Sequence, residues 1–363
     1  MPLKTVSGKH ADPRKGRGAG INPEGRFETL EREAFDDGWN TPEEDAPALK
    51  TQVTVERAKS IVSHNDSPDI CFSQSLNPYQ GCEHGCIYCY ARPSHAYRNL
   101  SPGIDFETRI FAKTNAAELL RAELSRPGYA CDEIMVGANT DPYQPIEREL
   151  RITRSVLEVC AEFNQPIGII TKNAGIERDI DILAPMAAKR LAAVTISCNN
   201  LDHDIARTLE PRCSAPTRRL QAMRRLSDAG IPVCVLVAPV IPFLTDHQIE
   251  SVLEAAWAHG ARQAGYVLLR LPWEVKDLFR DWLERNHPLK AKHIMSRVHE
   301  MRSGRDNDPC FGSRMVGSGR FAQLLEQRFD VGCKRIGFNA RRGRSLEKSL
   351  FRVPGEPEQI SLF

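Results

Sequence analysis

The stretch Asn77-Pro78-Tyr79-Gln80-Gly81-Cys82-Glu83-His84-Gly85-Cys86-Ile87-Tyr88-Cys89-Tyr90 carries three cysteines at the spacing C-x3-C-x2-C. They fall in a Gly-bearing loop directly after a first strand read at about residues 71–76. Thiolates select soft metals, either zinc or an iron–sulfur cluster. A structural zinc ion takes four protein ligands, so His84 or His95 would have to complete the set. A [4Fe–4S] cluster on Cys82, Cys86 and Cys89 alone leaves one iron with an open coordination position. A small chelating ligand can bind and react there. Both readings stand on the residues alone.

Outward from this loop the chain alternates. Further β-rich runs occur at residues 133–137, 166–171, 192–197, 231–237 and 265–269. Between them lie sets at helical spacing: Leu119, Leu120 and Leu124, then Val156, Leu157 and Val159, then Leu220, Met223 and Leu226. Strands alternating with helices imply βαβ units and a parallel sheet, and near-continuous apolar strands imply that both faces are covered. Six units ending near residue 285 are too few for a closed eight-fold barrel. They fit an open (β/α)6 barrel or a doubly wound sheet, and periodicity does not choose.

The flanks differ from this core. Residues 1–50 hold Lys-Gly-Arg-Gly-Ala-Gly and acidic clusters with few spaced apolar residues, and read as a largely disordered or loosely docked arm. Its first 26 residues carry six basic against two acidic side chains, 6 − 2 = +4. Residues 286–352 form a small basic extension; residues 290–352 carry 15 Lys and Arg against 6 Asp and Glu, 15 − 6 = +9. Over the whole chain 49 basic and 47 acidic residues leave only +2, so charge is segregated toward the ends, a pattern that suits a polyanionic partner. A hydrophobic content of 41% supplies a sizeable core and excludes a wholly disordered chain. The longest apolar stretch, residues 232–243, contains three prolines and is too short to span a bilayer. With no apolar signal segment at Met1-Pro2-Leu3-Lys4-Thr5-Val6 and an odd count of eleven cysteines, the expectation is a cytoplasmic protein with free thiols.

The cysteine spacing, with Tyr88 just before the last thiol, resembles the cluster motif of the radical S-adenosylmethionine superfamily. More narrowly, Asn77-Pro78-Tyr79-x-Gly81-Cys82, Cys89-Tyr90-Ala91-Arg92, Thr140-Asp141-Pro142-Tyr143-Gln144-Pro145-x-Glu147, Thr171-Lys172 and Glu210-Pro211 resemble the spore photoproduct lyase-related branch over most of residues 75–270. The resemblance implies a partial (β/α)6 TIM-like barrel, residues 71–285, with the cluster loop after the first strand. It implies a [4Fe–4S] cluster on Cys82, Cys86 and Cys89, bound S-adenosylmethionine, and an electron donor of flavodoxin or ferredoxin type. Carried over residue by residue, Asn139, Thr140 and Asp141 end the second strand near the methionine amino group. Lys172 ends the third and faces the methionine carboxylate, and Ser197 ends the fourth near ribose or carboxylate. Asn199 and Asn200 are further ribose contacts, Tyr88 flanks the cofactor, and Tyr90 matches a tyrosine that relays a hydrogen atom.

One departure matters. The branch uses a cysteine near the end of the second strand as hydrogen-atom donor, whereas Gly137-Ala138-Asn139 has no thiol. Cys131 or Cys198 could substitute only if the fold brings it inward, so repair of the spore photoproduct is not implied. Cys160 and Cys234 read as core residues. Cys310 and Cys333 would need further ligands to form a second metal site.

A flexible tail, residues 353–363, opens with a Pro-, Gly- and Glu-rich linker and ends Gln359-Ile360-Ser361-Leu362-Phe363, which resembles the peptide that docks bacterial replication and repair proteins on the sliding clamp. The expectation is a radical S-adenosylmethionine enzyme that forms a 5′-deoxyadenosyl radical and acts on a nucleic-acid-related substrate, as in DNA repair. The alternatives are the same chemistry on a protein or metabolite, and a non-catalytic zinc-containing nucleic-acid or clamp-binding protein. No membrane partner is expected.

Overall fold

Each of the six strands expected from the sequence is a parallel strand in the computed structural model, which describes residues 17–27, 50–340 and 345–355. The strands are β1 (Gln52–Glu56), β2 (Val62–His64), β3 (Gln74–Leu76), β4 (Tyr79–Gln80), β5 (Arg109–Lys113), β6 (Ile134–Val136), β7 (Ile167–Thr171), β8 (Ala192–Ser197), β9 (Val233–Val240) and β10 (Gln263–Leu268). The helices are α1 (Ile104–Thr108), α2 (Ala116–Leu124), α3 (Glu147–Leu150), α4 (Ile152–Phe163), α5 (Ile180–Ala188), α6 (His203–Leu209), α7 (Pro216–Asp228), α8 (Ile249–Ala258), α9 (Val275–Asn286), α10 (Pro288–Met301) and α11 (Gly319–Ile336).

The main sheet runs β10-β9-β8-β7-β6-β3-β2. It is parallel from β3 to β10, and β2 pairs antiparallel with β3. A doubly wound sheet reverses its strand order at a switch point. Here β3, β6, β7, β8, β9 and β10 follow one another without reversal, and among the described residues no pairing joins β10 back to β2. The architecture is therefore the open, partial (β/α)6 barrel. All carboxyl ends of the parallel strands face one mouth, where ligands bind in such folds.

Local chemistry explains the elements. In α4, Ile152, Val156, Leu157, Val159, Cys160 and Phe163 are buried, while Glu158 and Glu162 face solvent, the stripe of an amphipathic helix. Asn164, at φ 50°, ends it in the left-handed conformation that Asn tolerates. Asp202 caps α6 by accepting the backbone N–H groups of Asp204 and Ile205. Cys160 is fully buried, as read from the sequence, and Cys333 packs into the same core from α11 while Cys310 is exposed.

Two further features lie beside the barrel. A three-stranded sheet, β1-β5-β4, lies beside the barrel, with β1 parallel and β4 antiparallel to β5. Residues 17–27, within the expected arm, pack on the body: Ala19 is buried, and the Ser101 hydroxyl donates to the Pro23 carbonyl. The rest of that arm and the pentapeptide Gln359-Ile360-Ser361-Leu362-Phe363 lie outside the described residues. No helix of the described residues is long and apolar enough to cross a membrane.

Candidate active site at the barrel mouth

The cysteine loop leaves β3 and turns at Gly81 (φ 81°) and Gly85 (φ 67°), conformations that favour glycine. A Cβ on Gly85 would also stand 2.7 Å from a Glu107 carboxylate oxygen. The loop is pinned by Arg92, which is fully buried. Its Nε donates to the Cys86 carbonyl at 2.9 Å, one Nη to the Gly85 carbonyl and to Glu107, and the other to the Pro102 and Gly103 carbonyls. The Glu107 carboxylate also accepts the backbone N–H groups of Gly18 and Ala19. A buried ion pair is tolerable where every donor and lone pair is satisfied in this way. Cys82 and Cys86 are buried and Cys89 half-buried.

The segment Thr140-Asp141-Pro142-Tyr143-Gln144-Pro145-Ile146-Glu147 braces that loop. Gln144 accepts the Glu83 N–H at 2.9 Å and donates to the Gly81 carbonyl. The Thr140 hydroxyl donates to the Tyr79 carbonyl at 2.7 Å. Glu147 accepts from the Tyr79 hydroxyl, the Thr153 N–H and Arg178, and the Tyr143 hydroxyl donates to Asp179. Asp141 accepts the Thr171 hydroxyl, the Lys172 N–H and the Tyr143 N–H, and it lies 3.3 Å from His84 Nδ1. Burial pushes the Asp141 carboxyl up, but His84 and these donors outweigh it and hold it at about 2. In the same way burial opposes charge on His84, while Asp141 and Cys82 raise it well above the usual imidazole range. The side chains of Thr140 and Asp141, read from the sequence as cofactor contacts, are thus occupied by protein partners. Asn139 is exposed, with its N–H on Asn77 Oδ1.

The remaining strand ends converge on the same mouth. The Lys172 ammonium, at the end of β7, makes no hydrogen bond or ion pair with the described residues. Burial opposes its charge, but Cys86, Glu210, Cys213 and Asp141 raise it above its ordinary value. Ser197, at the end of β8, is buried, and its carbonyl accepts from Arg219 at 3.1 Å. Just beyond it, Asn199 Nδ2 and Asn200 Oδ1 are buried without a partner. Tyr88 is buried and donates to Glu210, whose other oxygen accepts from Arg219. Tyr90 is about half exposed, and its hydroxyl reaches across to the Ala138 carbonyl.

Of the two substitute thiols, Cys131 precedes β6 and so sits at the amino end of the sheet, away from the mouth, beside Gln165. Cys198 is fully buried beyond β8, its thiol on the Asn200 carbonyl. Sequence reading missed Glu107, the partner of Arg92, and Cys213, whose Sγ lies 3.5 Å from Cys86 Sγ.

The donor set suits a cluster. A hydrogen bond with Cys213, opposed by burial and aided by Lys172, brings the Cys86 thiol down to about 7, toward the thiolate that binds metal. Among the described residues no group of three or more His, Cys, Asp or Glu is gathered tightly enough to hold a single metal ion. A cluster, whose anchors each bind a separate iron, does not require such convergence. The unpartnered Lys172 ammonium, Asn199 Nδ2 and Asn200 Oδ1 offer polar contacts for a second, small polar ligand.

A family model described as the radical SAM superfamily matches residues 76–256. An uncharacterized protein of Mycobacterium tuberculosis is 34% identical over 232 residues, 63% of this chain and 67% of its own. One from Methanocaldococcus jannaschii is 26% identical over 249 residues, 69% and 89% of the two chains. Spore photoproduct lyase complexed with dinucleoside spore photoproduct is similar in structure, with a TM-score of 0.57 at 15% identity over 83% of this chain and 86% of that one. A variant of that lyase with bound AdoMet and dinucleoside spore photoproduct gives 0.56 at 14% identity, over 79% and 80%. At these identities the structural likeness speaks for the fold.

Proposed function

Because the chain belongs to the radical SAM superfamily and is an enzyme of that class, we propose that Cys82, Cys86 and Cys89 hold a [4Fe–4S] cluster beside bound S-adenosylmethionine. When bound, these groups supply a 5′-deoxyadenosyl radical that takes a hydrogen atom from the substrate. The observation that carries the reading is the loop itself: three thiols at the carboxyl end of β3, pinned by Arg92, with the unpartnered Lys172 ammonium nearby. Lys172 would orient the methionine carboxylate. Ser197, Asn199 and Asn200 would meet the ribose hydroxyls, Tyr88 would wall the site through Glu210, and Asn139 would lie near the amino group. Thr140 and Asp141 serve the cofactor by fixing the loop and the Lys172 backbone. Tyr90 is the candidate relay of a hydrogen atom.

The proposed substrate is a nucleic acid or a piece of one, with an electron donor of flavodoxin or ferredoxin type. Support comes from the likeness to a lyase seen with a dinucleoside ligand and from a surface beside the mouth. There the exposed rings of Phe27, Tyr97 and Trp273 surround Arg26, whose guanidinium carbon lies 5.0, 5.4 and 4.2 Å from them. Exposed aromatics around an arginine suit stacking on unpaired bases. Trp273 follows β10, and Tyr97 follows the cysteine loop in the 3-10 segment Arg92–Arg98. Spore photoproduct repair itself is not proposed, since Gly137-Ala138-Asn139 offers no thiol. Docking on a sliding clamp through Gln359-Ile360-Ser361-Leu362-Phe363 is a proposal resting on sequence alone. The test is anaerobic reconstitution, assay of iron and sulfide, and incubation with S-adenosylmethionine and deuterated DNA or RNA. Near four irons per chain and deuterium in 5′-deoxyadenosine are expected. A colourless protein with one zinc would defeat the cluster reading. Deuterium arriving only from a peptide or metabolite would defeat the nucleic-acid reading.

A further inference from the structure

Cys213 lies 127 residues from Cys86 in sequence, yet the two Sγ atoms are 3.5 Å apart, within hydrogen-bonding reach for sulfur. The backbone on both sides of this contact is stitched in place. The Ile87 N–H donates to the Leu209 carbonyl at 3.1 Å, and the Arg212 N–H to the His84 carbonyl at 3.2 Å. Tyr88 donates to Glu210, Arg212 pairs with Glu83 at 3.2 Å, and Ser214 is held by the Ala174 N–H and by Arg219. Cys213 is half-buried between Arg212 and Ser214 and packs against the apolar cluster that contains Cys86 and Ile87. Both cysteines are free. Sulfurs bound to separate irons of a cluster stand much farther apart than 3.5 Å, so this position does not suit a fourth ligand.

We propose that the Cys213 thiol donates a hydrogen bond to the Cys86 sulfur and thereby raises the reduction potential of the cluster. The inference rests on the reading of Cys82, Cys86 and Cys89 as its anchors. Hydrogen bonds to ligand sulfurs are among the factors that set iron–sulfur potentials. When the cluster accepts one electron from a low-potential donor, its charge becomes more negative by one and electron density on the Cys86 sulfur rises. An S–H donor stabilises that state more than the oxidised one. No bond is made or broken, and the proton stays on Cys213. Cys213 is a positioning residue in this scheme, acting through Cys86.

The experiment compares reconstituted wild-type protein with Cys213→Ala and Cys213→Ser in a dithionite titration followed by electron paramagnetic resonance, with iron measured alongside. All three should hold about four irons. Cys213→Ala should have a lower midpoint, by up to about 59 mV, the one-electron equivalent of a tenfold change. Cys213→Ser keeps an O–H donor and should stay near wild type. An unmoved midpoint in Cys213→Ala overturns the inference, as does a fall in Cys213→Ser as large as that in Cys213→Ala, which would indicate packing. Loss of iron from Cys213→Ala also overturns it, since Cys213 would then be a ligand. Wild-type protein without a cluster overturns the inference and the proposed function together; a cluster with an unmoved midpoint overturns the inference alone.

Discussion

Lys172 illustrates how one side chain at a strand end is freed for a ligand. Its N–H is taken by Asp141 at 2.7 Å, which fixes the backbone, while the ammonium keeps its charge and has no partner among the described residues. Losing one charge-assisted hydrogen bond costs about 1.5–3 kcal/mol, roughly ten- to a hundred-fold in affinity. Lys172→Ala should therefore keep its cluster and bind S-adenosylmethionine that much more weakly, as equilibrium binding would measure; wild-type affinity would place the ammonium elsewhere. By contrast, Cys82→Ala, Cys86→Ala and Cys89→Ala should each lose the cluster, read as iron content and visible absorbance. The three-cysteine loop was legible because its cysteines are close in sequence. Cys213 was not, since a contact between residues 127 positions apart leaves no spacing to read. Thr140 and Asp141 lie just beyond β6, and sequence does not show the protein groups their side chains meet, the Tyr79 carbonyl for Thr140 and the Thr171 hydroxyl for Asp141.

At the scale of elements, the central strands β6 to β9 were legible because burial on both faces demands apolar runs. β1 was not, as its residues Gln52–Glu56 are exposed or half-buried and carry no core signature. The brace formed by residues 140–147 was visible only as a string of turn-forming residues. Its strength depends on Asp141, whose carboxyl is depressed to about 2 in the folded chain. A carboxyl depressed on folding adds stability above its unfolded value, near 3.9, and that stability disappears as pH falls through the folded value. Wild-type protein should thus lose about 2 kcal/mol between roughly pH 4 and pH 2 that Asp141→Asn does not lose. Chemical denaturation of both proteins across that range would measure it, and parallel profiles would contradict the assignment. The Arg92–Glu107 pair acts on a second face of the same loop. Glu107→Ala would strand a buried guanidinium and release the Gly18 and Ala19 N–H groups, at a cost of about 3–5 kcal/mol in a denaturant midpoint.

For the whole molecule, the charge asymmetry of the sequence has a structural use that reading the chain did not separate from nucleic-acid binding. Several basic residues of the C-terminal extension are paired with the acidic body: Arg328 with Glu250, Arg335 with Glu254, Arg314 with Asp69 and Lys348 with Asp132. The first two pairs help lay α11 on α8, and Leu325 and Phe329 join the barrel core. Part of that positive charge is therefore spent within the fold, and a nucleic acid at the mouth would be held by stacking as well as by charge. Stacking on an aromatic side chain contributes about 1–3 kcal/mol per base and involves no counterion release, whereas each neutralised phosphate steepens the dependence of log affinity on log salt. Trp273→Ala and Tyr97→Ala should accordingly weaken binding of a short single strand by about five- to a hundred-fold at every salt concentration, with the salt slope unchanged. Both side chains are exposed, so their removal should leave the melting temperature and iron content as they were. Fluorescence anisotropy of labelled single strands from about 50 to 200 mM salt would resolve the two contributions. Unchanged affinity in Trp273→Ala would remove the aromatic surface from the substrate path, and a slope that flattens with it would mean that Arg26, packed on that ring, contacts phosphate.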